Sequence, residues 1–210
     1  MNISILGTGN MAQGLAAVFA QAGLPVILGG RDAAKAASAA KDLGHGVTGT
    51  SIRTAAEQSD VVVLAVPYAA VAATIAAAGG LAGKTVIDIT NPLTADYMGL
   101  TVGHSTSAAE EIQKLAPQAK VVKAFNTIFV TVLQAGGKAG GKAATVFIAG
   151  NDAGATQTVE DIAKRAGFAT IQAGGLGLAR YLEPLAGLNI ALGYGRGFGT
   201  DIAPTWQRAA

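Results

Sequence analysis

Apolar residues fall into short blocks along this chain, at Ile3–Leu6, Val26–Leu28, Val61–Val66, Thr85–Ile89, Val121–Ala124, Thr145–Ala149 and Ala169–Gln172. Each block has the length of a strand, and most are rich in β-branched residues. Helix-compatible stretches separate most of them. Near-continuous apolar strands alternating with helices are the pattern of a mostly parallel sheet covered on both faces, so the expected class is α/β.

The helical stretches carry their own periodicity. Met11, Leu15, Val18 and Ala22 recur at helical spacing until Gly23-Leu24-Pro25 ends the helix. Ser107, three residues before Glu110, predicts a capping box for a helix that buries Ala108, Ile112 and Leu115 before Pro117. Another helix is predicted from about Ala153 to Arg165, with Val159 and Ile162 inward. The last, from about Leu178 to Leu192, places Leu178, Tyr181, Leu182, Leu185, Leu188 and Leu192 on one broad face. That face either closes the core or packs against a second copy in a homodimer, and both readings stay open. Arg180 and Glu183 on the same helix either pair, approach a site, or are helix-surface charges.

The first strand runs into Gly7-Thr8-Gly9-Asn10-Met11-Ala12, a Gly-x-Gly-x-x-small sequence at the start of the first helix. Gly7 suits the tight turn, Gly9 lets the backbone approach a pyrophosphate, and Ala12 lets helix and strand pack closely. Helix-start amides and the helix dipole then face the phosphates, with Thr8, Asn10 and Met11 nearest the cofactor. Strand, helix and strand fit in about thirty residues, as a βαβ unit requires. The fold expected is therefore Rossmann-type and doubly wound, with a short C-terminal helical extension. Residues 1–210 read as a single NADP-binding domain whose C-terminal helix and tail begin at about 178.

After the second strand the chain reads Gly29-Gly30-Arg31-Asp32, where an NAD-preferring protein usually carries an acidic residue for the ribose 2′-hydroxyl. The glycines leave space, Arg31 offers a planar guanidinium to a 2′-phosphate, and Lys35 follows one helical turn later. Asp32 is a candidate helix N-cap. NADPH is thus expected over NADH. Ligands of doubly wound sheets lie beyond the carboxyl ends of the strands, which directs Val66-Pro67-Tyr68, Thr90-Asn91-Pro92-Leu93 and Phe125-Asn126-Thr127-Ile128 at one crevice. Asn91, Asn126 and Thr127 are candidates to bond a nicotinamide carboxamide or substrate, and Pro67, Tyr68 and Ile128 to wall the ring. A loop-capping role competes at each of these positions.

Composition narrows the classes. A formal charge of +2, with scattered lysines and arginines, lacks the basic stripe of a nucleic-acid binder. The chain has no cysteine for a disulfide or thiolate site, and His45 and His104 lie far apart without ligand spacing, so no metal is expected. Residues 1–6 read as a strand and lack a signal-peptide pattern, which points to the cytoplasm. The uncharged run between Asp60 and Lys84 reads as a buried strand followed by a helix and not as a membrane span, because Pro67 and Gly79-Gly80 interrupt it. Gly136-Gly137-Lys138-Ala139-Gly140-Gly141-Lys142 nearly spells a phosphate loop, but Ala143 replaces the required hydroxyl residue and a strand follows. A mobile loop is expected there. No Ser-His-Asp pattern or carboxylate pair marks a hydrolase, and no catalytic side chain is identified.

These residues together resemble the NADPH-dependent reductases of the deazaflavin coenzyme F420 and the related cytosolic domain of membrane ferric reductases. The resemblance spans nearly the whole chain and rests on Gly7-Thr8-Gly9-Asn10-Met11, Gly29-Gly30-Arg31, Val66-Pro67-Tyr68, Asn91-Pro92-Leu93 and Lys123-Ala124-Phe125-Asn126-Thr127-Ile128. Ala173-Gly174-Gly175-Leu176, Ala179-Arg180-Tyr181-Leu182-Glu183 and Gly195-Arg196-Gly197-Phe198-Gly199 extend it. This chain has Gly30-Arg31 where the family often has Ser-Arg, and Asn126 where the deazaflavin reductases tend to carry histidine. Asparagine at that place is more like the ferric-reductase branch. The resemblance implies hydride transfer between NADP(H) and a flat acceptor, F420 or free flavin, with positioning supplying most of the catalysis. Two other readings compete. One is a reductase of a small carbonyl or imine, as in pyrroline-carboxylate reductases with a similar Gly-Asn-Met-Ala loop; the other is a non-catalytic NADPH sensor.

Overall fold

The structure, a computed structural model, describes residues 1–206; residues 207–210, the end of the expected domain, lie outside the described residues. Strand and helix alternate from the start, as β1 (Ile3–Leu6), α1 (Asn10–Gln21), β2 (Val26–Gly30), α2 (Ala33–Leu43), β3 (Thr48–Ser51), α3 (Ile52–Glu57) and β4 (Val61–Leu64). Next come α4 (Val71–Ala77), β5 (Thr85–Asp88), α5 (Ala108–Leu115), β6 (Lys120–Lys123) and α6 (Val130–Gln134). A small hairpin of β7 (Lys138–Ala139) and β8 (Lys142–Ala143) leads to β9 (Thr145–Gly150), α7 (Ala153–Arg165), β10 (Ala169–Gly174) and α8 (Ala179–Ile190).

Eight strands form one sheet in the order β10-β9-β6-β5-β4-β1-β2-β3. From β3 to β6 all neighbours are parallel, and the order 3-2-1-4-5-6 is that of the dinucleotide-binding α/β fold. β9 joins β6 antiparallel and β10 runs parallel to β9. Ile3 sits opposite both Val26 and Val61, and Thr85 opposite both Val61 and Lys120, so the central strands end on one common edge.

Both faces of the sheet are covered, which is why the strands read as unbroken apolar runs. Val61 and Val63 point to one face, packed with residues of α1, α2, α6 and α7; Val62 and Leu64 point to the other, with α3, α4 and α5. All four are fully buried or nearly so, each side chain contributing about 1.5–3 kcal/mol of hydrophobic stabilisation.

Several predicted boundaries move, each for a physical reason. Gly29 and Gly30 belong to β2 and are buried, where a Cβ on Gly29 would meet Leu6 at 2.7 Å and Ala55 at 2.9 Å. Their small size serves close packing, not open space after the strand. β3 is an edge strand of Thr48-Gly49-Thr50-Ser51, whose lack of apolar residues hides it from periodicity. The Gly140-Gly141 segment is a hairpin turn, both glycines having positive φ (55° and 77°), where a mobile loop is the sequence expectation. Leu115 is exposed because Ala116 takes the inward place after Ile112 on α5.

The largest difference lies in α8. Its buried stripe is Ala179, Leu182, Glu183, Ala186 and Asn189, whereas Leu178, Tyr181 and Leu188 are exposed. The helix is rotated away from its apolar face because two polar residues have buried partners at the ends of β5 and β6. The exposed apolar side chains keep the homodimer reading open. No helix among the described residues is long and apolar enough to cross a membrane.

Candidate functional site

A cleft of about 750 Å³ opens at the carboxyl ends of β1, β4, β5 and β6. Its wall includes Gly9, Asn10, Met11, Val66, Pro67, Tyr68, Asn91, Asn126, Thr127 and Ile128, so the three turns singled out in the sequence do converge with the first glycine loop. Gly7, Thr8, Gly30, Arg31, Lys35 and Pro92 are not part of this wall. Pro92 is buried, and its carbonyl accepts from Thr101 N at 2.7 Å; Thr8 offers its carbonyl to Gln13 Nε2 at 2.8 Å. Arg31 and Lys35 are exposed at the neighbouring start of α2. Asp32 caps that helix, accepting from Ala34 N and Lys35 N at 3.0 and 3.1 Å.

The glycine loop has the geometry of an anion cradle. Gly7 has φ +137°, and a Cβ there would lie 2.3 Å from the Ala65 carbonyl oxygen, so the turn requires glycine. Gly9, the N-cap of α1, has nothing within 4 Å of its Cβ position, and no side chain caps the helix start. Open N–H groups with the helix dipole behind them suit a phosphate.

At the far side of the cleft Phe125 adopts a left-handed conformation, φ +60°, unusual for a bulky residue. Edge-on contacts with Phe19 and Phe168, both at 5.6 Å between ring centres, hold it there. The turn delivers Asn126 to the cleft floor. Asn126 Nδ2 donates to Asn91 Oδ1 at 3.0 Å and to the Leu182 carbonyl at 2.8 Å, while Asn91 Nδ2 donates back to the Asn126 carbonyl at 2.8 Å. Asn189 Nδ2 donates to the Thr127 carbonyl at 3.1 Å. Among the described residues, two buried polar atoms of the wall, Asn126 Oδ1 and Thr90 Oγ1, have no hydrogen-bond partner. Buried orphans of this kind cost stability unless a ligand meets them, and a nicotinamide carboxamide carries both the donor and the acceptor to do so. The residues present therefore fit the expected cofactor at its pyrophosphate and at its nicotinamide.

Sequence reading directs the segment of Thr90 at the crevice without giving Thr90 itself a role, and it missed Asn189 and the overhanging Tyr97 and Met98, because no motif marks them and their places depend on the loop after β5 and on α8. It left Glu183 as a partner of Arg180, a residue approaching a site, or a helix-surface charge. Glu183 is instead 1% exposed and bonds Lys123 Nζ at 2.8 Å, beside Asp88 at 2.6 Å from the same ammonium. Burial raises the Tyr68 phenol above its ordinary value of 10.0, the carboxylates of Glu111, Glu183 and Asp88 act in the same direction, and Lys123 opposes them. The phenol stays protonated, a donor at the cleft wall.

Arg180 pairs with Glu110, its Nε and Nη2 lying 2.9 and 2.6 Å from the two carboxylate oxygens, and so ties α8 to α5. That hydrogen bond chiefly holds the Glu110 carboxyl below its ordinary 4.5. A depressed carboxyl contributes stability that is present above pH 4.5 and is lost as pH falls below it. The expected outcome is a Tm deficit for Glu110→Gln at pH 7 that shrinks as the pH is lowered from 5 toward 3. A deficit independent of pH would mean that the ion pair is not its source.

Comparison with known proteins agrees with this geometry. A model of the family described as NADP oxidoreductase, coenzyme F420-dependent, matches residues 2–92. The chain is 33% identical to the F420-dependent NADP reductase of Methanothermobacter marburgensis, covering 91% of this chain and 92% of that protein. It is 32% identical to the metalloreductase STEAP3 of Rattus norvegicus, where the match takes in 87% of this chain but only 36% of the relative. The crystal structure of an Arthrobacter sp. FB24 protein, assigned as an F420-dependent NADP-reductase, superposes with a TM-score of 0.89 at 31% identity, over 99% of this chain and 100% of that one.

Proposed function

The chain belongs to the family of the F420-dependent NADP reductases, and on that premise we propose that it passes hydride between NADP(H), held at the start of α1, and coenzyme F420 in the cleft above Asn126. It is an NADP-dependent oxidoreductase. The observation that carries the reading is the continuity of the cleft, from the open cradle at Gly9 to the unpaired Thr90 Oγ1 and Asn126 Oδ1 in an otherwise largely apolar wall.

When bound, the nicotinamide supplies the hydride. The chain's own residues bind and orient. Amides at the start of α1 hold the pyrophosphate, and Arg31 with Lys35 meets the 2′-phosphate beyond β2. Asn126 Oδ1 and Thr90 Oγ1 fix the carboxamide and hence the exposed face of the ring. Val66, Pro67 and Ile128 wall it, and Tyr97 and Met98 overhang the space left for a second flat ring. A volume of about 750 Å³ admits a nicotinamide and part of an acceptor stacked on it. Holding the two reacting carbons at about 3–3.5 Å supplies most of the acceleration.

The test is turnover of NADPH by the purified protein with F420, followed by loss of the deazaflavin's visible absorbance, with FMN, FAD, ferric chelates and small carbonyl and imine compounds in parallel. F420 is expected to be reduced fastest. Turnover confined to carbonyl or imine compounds would overturn the proposal, and fastest turnover with FMN or FAD would move the acceptor to free flavin.

A further inference from the structure

The buried ions beneath the cleft have a composition that packing alone does not call for. Asp88, Lys123 and Glu183 are each 0–1% exposed, and they bring two carboxylates to one ammonium. Lys123 Nζ donates to Asp88 Oδ2 at 2.6 Å and to the Thr90 carbonyl at 2.7 Å, and it forms an ion pair with Glu183 Oε1 at 2.8 Å. The remaining carboxylate contacts are backbone donors: Thr90 N to Asp88 Oδ1 at 2.8 Å, Ala108 N to Glu183 Oε2 at 2.9 Å and Ala109 N to Glu183 Oε1 at 3.2 Å. Both carboxylates thus receive only donors, the surroundings that the charged form requires. One negative charge is left over, and the start of α5 offsets only about half of it. A one-to-one pair or apolar side chains would join these elements at lower desolvation cost.

The cluster lies directly below the site. Its hydrogen bonds hold both the N–H and the carbonyl of Thr90, a residue of the cleft wall. Ala186 and Asn189, one and two turns beyond Glu183 on the same stripe of α8, are also in the cleft wall. At the Tyr68 phenol in the cleft wall, burial first and then the carboxylates of Glu111, Glu183 and Asp88 favour the protonated form, with Lys123 opposing them.

We propose that the Asp88–Lys123–Glu183 cluster acts electrostatically on the cofactor site, its surplus negative charge favouring the oxidised, cationic nicotinamide over the reduced, neutral one. This rests on the reading that NADP(H) occupies the cleft. As hydride leaves, the ring changes from neutral to singly positive, and a fixed charge beneath it in a water-poor wall stabilises that change without reorganisation. The cluster touches no reacting atom. Its effect is on the balance between the two cofactor forms.

The experiment is titration of NADP⁺ and NADPH separately into wild-type protein and into Asp88→Asn, Glu183→Gln and Glu183→Asp, with Tm recorded for each. Both neutralising variants bring the cluster's net charge to zero through different contacts. In each, the ratio of Kd for NADP⁺ to Kd for NADPH is expected to rise about tenfold, the factor that one charge on the order of 10 Å away produces at an effective dielectric near 20. Glu183→Asp, which keeps the charge, is expected to keep the wild-type ratio. If one neutral variant does not fold, the other decides. Parallel weakening of both forms, leaving the ratio within about twofold, would assign the cluster a structural role and overturn the proposal. Wild-type protein that binds neither form would overturn the cofactor reading and this inference with it, whereas binding of both with an unmoved ratio removes this inference alone.

Discussion

Replacing Arg31 by glutamate is expected to weaken NADPH binding about a hundredfold while leaving NADH binding within about threefold of wild type. β2 ends at Gly30, so Arg31 is the first residue beyond the sheet edge, exposed, and without an ion-pair partner among the described residues. The neighbouring carboxylate is already engaged, because Asp32 caps α2. A guanidinium in that position has no task within the fold and suits a 2′-phosphate. Charge reversal removes a charge-assisted hydrogen bond of about 1.5–3 kcal/mol and adds repulsion, together near the 2.7 kcal/mol that corresponds to a hundredfold. NADH lacks the phosphate and escapes both effects. Titration of the two cofactors in parallel decides, and equal losses for both would remove Arg31 from the phosphate site.

Two glycines of one loop, Gly7 and Gly9, should behave in opposite ways. Gly9→Val is expected to keep the wild-type Tm and to lose NADPH affinity by a hundredfold or more. Its backbone is extended, φ −79° and ψ 178°, which valine adopts readily, and the space around its Cβ position is open. The new side chain therefore fits the fold and fills the place where a pyrophosphate would lie. Gly7→Ala is expected to cost about 3 kcal/mol or more of stability, since φ +137° and a 2.3 Å approach to the Ala65 carbonyl leave the methyl group nowhere to go. That is a large share of the 5–15 kcal/mol by which proteins are usually stable. Thermal unfolding with and without NADPH separates the cases. A Tm loss in Gly9→Val as large as that in Gly7→Ala would show that Gly9 serves the fold and not a ligand.

Much of the architecture was legible because it follows from local periodicity. Buried parallel strands have no polar side, so β1, β4, β5 and β6 appear as apolar runs, and the helix expected from about Ala153 to Arg165 with Val159 and Ile162 inward is α7, which Asp152 caps. β3 was not legible, since an edge strand of threonine, glycine and serine carries no hydrophobic signal. The short pieces α3 and α6 lack enough turns to show a period.

The site divides in the same way. Gly7, Gly9, Arg31 and the turns at Val66, Asn91 and Asn126 lie next to strand ends, where chain order alone predicts their direction. Asn189 and Glu183 gain their roles from residues 62 and 75 positions away in the chain, and nothing in their own neighbourhood distinguishes them from ordinary helix-surface residues. The apolar face of α8 shows the contrast most directly. Periodicity marks the face with most leucines without saying whether it closes the core or meets a second copy, and the protein turns Glu183 and Asn189 inward to satisfy Lys123, the amides of α5 and the Thr127 carbonyl. What the sequence determined by itself was the alternation of strands and helices and the glycine and arginine turns of the first βαβ unit, because those follow from side-chain period and backbone freedom. The tertiary structure alone decided which way α8 faces and which charges lie under the cleft, because leaving a buried ammonium unpaired costs more than exposing a few leucines to water.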